Sequence, residues 1–128
     1  MNVDSSAILA ILFHENDAEK LLSAITSAGV VGIGAPTAAE TGLVLTARLQ
    51  RDATGSLLRF FEETGIQIVP FTTLHWQRAV EVFARFGKGR HSAGLNFGDC
   101  MTYATASLAR QPLLCCGGDF RKTDLELV

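Results

Sequence analysis

Three acidic residues stand where a strand-like run hands the chain to a helix or a turn, a fourth opens the helix that leads back into the last strand, and these four are the residues of this sequence best placed to do chemistry. Asp4 ends the first short run, Asn2 to Asp4. Glu40 falls on the first turn predicted for the helix opened by Pro36-Thr37, after the run Val30 to Gly34. Asp99 lies on the first turn of the helix predicted over 97–109, and Asp119 follows the run Leu113 to Cys116. Four carboxylates gathered at one edge repel one another unless protons or a cation neutralise them. Oxygen ligands without His or Cys select hard cations, Mg²⁺ or Mn²⁺. Such a centre suits phosphodiester hydrolysis, in which the ion activates water and stabilises the leaving oxygen.

Each acid also has a plainer use. Thr37-Ala38-Ala39-Glu40 reads as a capping box, Asn96-Phe97-Gly98-Asp99 as a second, and Asp4 as an N-cap before Ser5-Ser6. Asp119 fits an ordinary turn after Gly117-Gly118. Asp4 is the sharpest of the four. Flanked by Val3 and Ala7-Ile8-Leu9, it should be partly buried and in need of partners, and Ser5 and Ser6 are placed to support it.

A second cluster is cationic. His75, Arg78, Arg85, Lys88, Arg90 and His91 lie within seventeen positions that contain one acid, Glu81, and Gly87-Lys88-Gly89-Arg90-His91 is a flexible basic loop. Arg85, Lys88, Arg90 and His91 suit contacts to a phosphate backbone, or else form a solvated helix end. His14, His75 and His91 share no metal-ligand spacing, and Trp76 with the phenylalanines reads as core. Gly32-Ile33-Gly34-Ala35-Pro36-Thr37 lacks the third glycine of a dinucleotide fingerprint, and no phosphate-loop lysine or G-x-S-x-G elbow is present.

The elements that must position these residues alternate in type. Helical spacing marks 5–13, 17–28, 53–63, 72–86 and 97–109, besides the helix opened at Pro36, and strand-like runs fall at 2–4, 30–34, 66–69 and 113–116, with a further one possible at 125–128. Strands separated by helices pair in parallel through crossovers, which predicts a three-layer α/β/α sandwich on a short sheet of four to five strands. Every strand of such a sheet delivers its C-terminal end to one edge, where ligands bind. The passage after Val69 is the one without an acid.

Composition sets the outer bounds. The chain suits one domain over residues 1–128, and 48% hydrophobic residues can fill its core. A formal charge of -2 excludes a strongly basic nucleic-acid coat or a polybasic membrane anchor, so positive charge for a polyanion must come from a local patch or a bound metal. Cys100, Cys115 and Cys116 are odd in number and lack C-x-x-C spacing, which points to reduced, mostly buried thiols. Met1-Asn2-Val3-Asp4 is unlike a signal peptide, and Ser6 to Phe13 is too short to span a bilayer; no membrane association and a cytoplasmic location are expected.

Val3-Asp4-Ser5-Ser6-Ala7 resembles the opening of PIN-domain ribonucleases, and the whole chain resembles the VapC-type toxins of bacterial toxin–antitoxin pairs. The most specific stretch runs from Arg85 to Cys100 and contains Gly87-Lys88-Gly89-Arg90-His91 and Asn96-Phe97-Gly98-Asp99-Cys100. Pro112-Leu113-Leu114 and Asp119-Phe120 with Thr123-Asp124 match the C-terminal segment of one VapC subgroup. The resemblance implies a Mg²⁺- or Mn²⁺-dependent endoribonuclease that arrests growth by cutting RNA, forms a homodimer and is blocked by a VapB-type antitoxin. It also implies metal ligation by Asp4 and Asp99, completion of the quartet by Glu40 and Asp119, and a supporting hydroxyl at Ser6. Two departures stand out: Ser5 where threonine is usual, and Cys115-Cys116 where the subgroup has an aromatic and a lysine. Asp124 matches a subgroup residue for which capping of a helix or turn is the expected use. Leu9, Leu12, Leu21 and Leu22 are candidates for part of an antitoxin groove, with ordinary core as their other reading. The rival functions are a metal-dependent phosphatase and an inactive PIN-like interaction protein. The first lacks an Asp-x-Asp pair at Asp4, and the second would be expected to have lost an acid.

Overall fold

The computed structural model describes residues 1–128. Its elements in order are β1 (Asn2–Val3), α1 (Ser5–Leu12), α2 (Ala18–Ser27), β2 (Gly32–Gly34), α3 (Ala35–Leu49), α4 (Thr54–Thr64), β3 (Gln67–Val69), α5 (Thr73–Phe86), α6 (Phe97–Ala109) and β4 (Leu113–Leu114). The four strands are all parallel, in the order β3-β2-β1-β4. No helix is long and apolar enough to cross a membrane.

Alternation along the short strands builds two cores. Leu114 faces a cluster with Val3, Ile33 and residues of α1–α4, whereas its neighbour Leu113 faces Ala79, Val82 and Tyr103 of α5 and α6. β2 reads Gly-Ile-Gly because α6 lies tight against it: a β-carbon on Gly34 would meet Thr105 Oγ1. Two strands, β1 and β4, meet where the chain reverses its direction of travel across the sheet, since β2 and β3 lie on one side of β1 and β4 on the other. A crevice at such a switch point is where open α/β sheets bind ligands.

Several expectations change. β4 stops at Leu114 instead of Cys116, and the further run at 125–128 contributes one parallel bridge, Leu113 to Leu127. α3 begins directly at the end of β2 with Gly34 as N-cap and no side-chain cap bond, so Thr37–Glu40 is not a capping box and Glu40 sits on the second turn. Trp76 is 54% exposed and Phe97 80% exposed, so these aromatics are surface instead of core. Asp124 caps no helix. It accepts from the Tyr103 hydroxyl (2.5 Å) and the Arg85 guanidinium (2.8 Å), tying the C-terminal segment to α5 and α6.

Candidate active site

Asp4 is both a cap and a site residue. As N-cap of α1 its Oδ2 accepts from the Ser6 backbone N–H (3.1 Å) and the Ser6 hydroxyl (2.6 Å). Its Oδ1 accepts from the Thr102 hydroxyl on α6 (2.9 Å), and the residue is only 7% exposed. Ser6 in turn accepts from the Cys116 N–H (3.0 Å), which ties the passage after β4 to the same carboxylate. Three donors on one buried carboxylate satisfy what burial demands.

Glu40 is half-buried, and its Oε1 accepts from the Ser5 hydroxyl at 2.6 Å. The other oxygen rests against the α6 backbone at Gly98, where any β-carbon would run into it. Asp99, the third residue of α6, forms a reciprocal capping box: Asn96 N–H donates to Asp99 Oδ2 (3.0 Å) and Asp99 N–H donates to Asn96 Oδ1 (2.9 Å). Asp119 is exposed on the turn after β4, which starts at Gly117 with φ +83°.

The four acids feel one another. Burial pushes the Asp99 carboxyl up to about 6, opposed by its Asn96 bond and reinforced by the negative charges of Asp119, Asp4 and Glu40. No protein cation answers this charge, because the ion pairs of the chain are Arg78–Glu81 and Arg85–Asp124. A cluster of hard oxygen donors with no counter-charge of its own fits a divalent cation. The side chains as placed do not close three ligands around one point. Mg²⁺ keeps several waters and commonly takes only one or two carboxylates.

The raised carboxyl has a consequence for stability. Its folded pKa lies above the unfolded value of 3.8, so the folded state holds that proton more tightly. The penalty is absent below about pH 4 and grows as pH rises through about 6. Added Mg²⁺ is expected to raise the melting temperature more at pH 7.5 than at pH 5, read from thermal melts with and without EDTA. An equal Mg²⁺ effect at the two pH values would show that the ion does not answer this charge.

The basic segment makes no ion pair with the four acids. Arg85 is engaged by Asp124 and lies over the Phe86 ring at 4.7 Å, so it is anchored and not a free contact. Arg90 lies over Phe83 at 5.5 Å, and His91 packs edge-on against Phe86 while its Nδ1 accepts from Ala93 N–H. Lys88, Arg90 and His91 are exposed. Of the apolar helix faces, Leu21 is buried core, Leu9 and Leu12 pack partly against it, and Leu22 is exposed.

Reading the sequence found Ser5 and Ser6 but missed Thr102 and Thr37, whose hydroxyls meet at 2.9 Å behind Asp4. The available signal was a threonine one turn after Asp99, on the same helix face. Cys115 lies at the rim of the site. Burial, and then the Asp4 charge, pushes its thiol up to about 11, which leaves it protonated and a poor nucleophile.

The family profile described as "PIN domain" matches residues 1–126. The chain is 46% identical over 127 residues to Ribonuclease VapC36 of Mycobacterium tuberculosis, covering 98% of this chain and 91% of that protein. Among solved structures it resembles Mycobacterium tuberculosis VapC20, a Sarcin-Ricin loop cleaving toxin, with TM-score 0.77 and 20% identity over 99% of this chain and 97% of that one. It also resembles a toxin-antitoxin complex from Klebsiella pneumoniae, with TM-score 0.74 and 18% identity over 99% of this chain and 95% of that one.

Proposed function

Since the chain belongs to the PIN-domain family and is closely similar to its VapC ribonucleases, we propose that it is a metal-dependent endoribonuclease toxin, a single PIN-like domain over residues 1–128. The observation that carries the reading is the convergence of Asp4, Glu40 and the start of α6 on one edge, through the Thr102–Asp4 and Ser5–Glu40 bonds and the contact of Glu40 with Gly98, with no protein cation paired to these acids. Asp4 and Asp99 would hold Mg²⁺ or Mn²⁺, and Glu40 and Asp119 would complete the acidic rim and hold water. A bound ion supplies Lewis acidity and a more acidic water at the scissile phosphate.

The chain's own residues contribute positioning. Ser6 and Thr102 hold the two oxygens of Asp4, Ser5 holds Glu40, and the Asn96 cap holds Asp99. No protein group is poised to attack phosphorus. The Ser5 and Ser6 hydroxyls are spent as donors to carboxylates, and the Cys115 thiol is protonated. In this reading a water held among the acids, and not a protein group, would attack the scissile phosphate. Lys88, Arg90 and His91, with Arg85 anchored behind them, would follow the RNA backbone.

A VapB-type antitoxin partner, homodimer formation and a cytoplasmic site of action belong to the same reading. A phosphatase or an inactive interaction protein is not favoured, given intact acids and relatives named as ribonucleases. The test is incubation of the purified chain with a mixed structured RNA in Mg²⁺, Mn²⁺ or EDTA. Discrete cleavage products are expected with either metal and none with EDTA. Intact RNA under every metal, or equal cutting in EDTA, overturns the assignment.

A further inference from the structure

We propose that Thr102 is a positioning residue for Asp4, and that Thr37 sets the direction of its hydrogen bond. This rests on the reading of Asp4 as a metal ligand. The local N-cap contacts reach only Oδ2, through Ser6. Thr102 reaches Oδ1 from another helix, 98 residues away in sequence, and so fixes the carboxylate against rotation about its Cβ–Cγ bond.

Helix position alone does not explain this contact. A threonine inside a helix commonly gives its hydroxyl to the carbonyl four residues back. Thr105 does so on the same helix, to Met101 O (3.1 Å), and Thr41 does so on α3, to Thr37 O (2.8 Å). Thr102 instead turns its hydroxyl away from its own helix and toward the carboxylate. Its β-branched side chain has few rotamers, so the choice is fixed by packing in an environment where Thr102 and Thr37 are each 3% exposed.

Proton counting then orders the pair. Each hydroxyl has one hydrogen. Thr102 spends its own on Asp4 Oδ1, so the 2.9 Å contact between the threonines requires Thr37 to donate and Thr102 to accept. The relay runs Thr37 to Thr102 to Asp4. Its first bond joins α3, which carries Glu40, to α6, which carries Asp99, and its second ties both to the carboxylate that follows β1. Partners that orient a ligand in this way commonly contribute ten- to hundredfold in metal affinity.

The experiment is a Mn²⁺ titration of the full chain at pH 7.5, with free Mn²⁺ read by electron paramagnetic resonance. Thr102→Val, nearly isosteric without the hydroxyl, should weaken Mn²⁺ binding about tenfold or more, whereas Thr102→Ser should stay near wild type. Thr37→Val, which leaves Thr102 without its donor, should cost about threefold. Should Thr102→Val not fold, Thr102→Cys, of similar shape and a much weaker donor, carries the same comparison. Wild-type affinity in Thr102→Val or Thr102→Cys, beside lost binding in Asp4→Asn, overturns the positioning role and leaves the metal site standing. Wild-type affinity in Thr37→Val overturns the part assigned to Thr37. Unchanged binding in Asp4→Asn overturns the metal-ligand reading itself, and the relay's role with it.

Discussion

Asp4→Asn and Asp99→Asn are each expected to reduce RNA cleavage by about a thousandfold or more, while moving the stability of the metal-free protein in opposite directions. Asp99 is ionised at pH 7.5 in a half-buried place that already faces three carboxylates. Asparagine keeps an oxygen that can accept from the Asn96 N–H and removes the charge, so the melting temperature in EDTA should rise by a few degrees. Asp4 differs because both of its oxygens accept hydrogen bonds, three in all. Asparagine turns one acceptor into a donor facing another donor, so Asp4→Asn should lose about 1–3 kcal/mol. Cleavage assays on RNA paired with thermal melts in EDTA test both halves. Were these acids caps alone, cleavage would persist in both variants and Asp99→Asn would melt lower than wild type.

The second large effect concerns the face that carries β3. Trp76, Val80 and Phe83 of α5 line an apolar trough of about 640 Å³ with Pro36, Phe97 and Met101, and no charged residue contributes to its lining. A second trough, of about 500 Å³, is lined by Leu43, Leu58 and Ile68 and begins at Ala35, next to Pro36. β3, whose Ile68 is 46% exposed, is an edge strand of the sheet. Apolar surface of this extent calls for a partner, and its lack of cations makes it a poor match for RNA. The homodimer proposed above would place a second copy of the chain on this face. Val80, 60% exposed on this face, is the position at which to test it. Val80→Asp should weaken self-association by about a hundredfold, the effect of a lost interface anchor worth about 3 kcal/mol. Sedimentation velocity across a concentration series gives the answer. A wild-type chain that stays monomeric to high concentration would assign this face to the antitoxin or to no partner.

Much of this arrangement can be read from residue order, and the exceptions share a cause. Periodicity locates five helices to within about two residues at both ends, and the start of α3, because apolar residues recur at helical spacing. The acids at Asp4, Asp99 and Asp119 are legible because a parallel sheet sends every strand to one edge. Glu40 belongs to the same edge but lies a turn deeper than its apparent capping box implies. Gly34 starts α3 without a loop, and the Thr37 hydroxyl goes to Thr102 instead of to the helix end. The stripe Trp76-Val80-Phe83 reveals an apolar face on α5 but not what covers it. Ala79 and Val82 take the core side, and the aromatics are left outside. Asp124 and Arg85 find each other across 39 residues, and local patterns carry no information about such a pairing.

That pairing has a consequence for the fourth acid. Asp119 is held by no side-chain partner, yet the chain on either side of it is fixed. Leu114 is locked in the sheet, Phe120 is buried beneath α5 and α6, and Asp124 is fastened to Tyr103 and Arg85. A segment tethered at both ends loses little entropy when it closes on a target, and its tip samples only a small volume. The carboxylate of Asp119 therefore acts on the other three at a high effective concentration, set by tether length instead of by a bond.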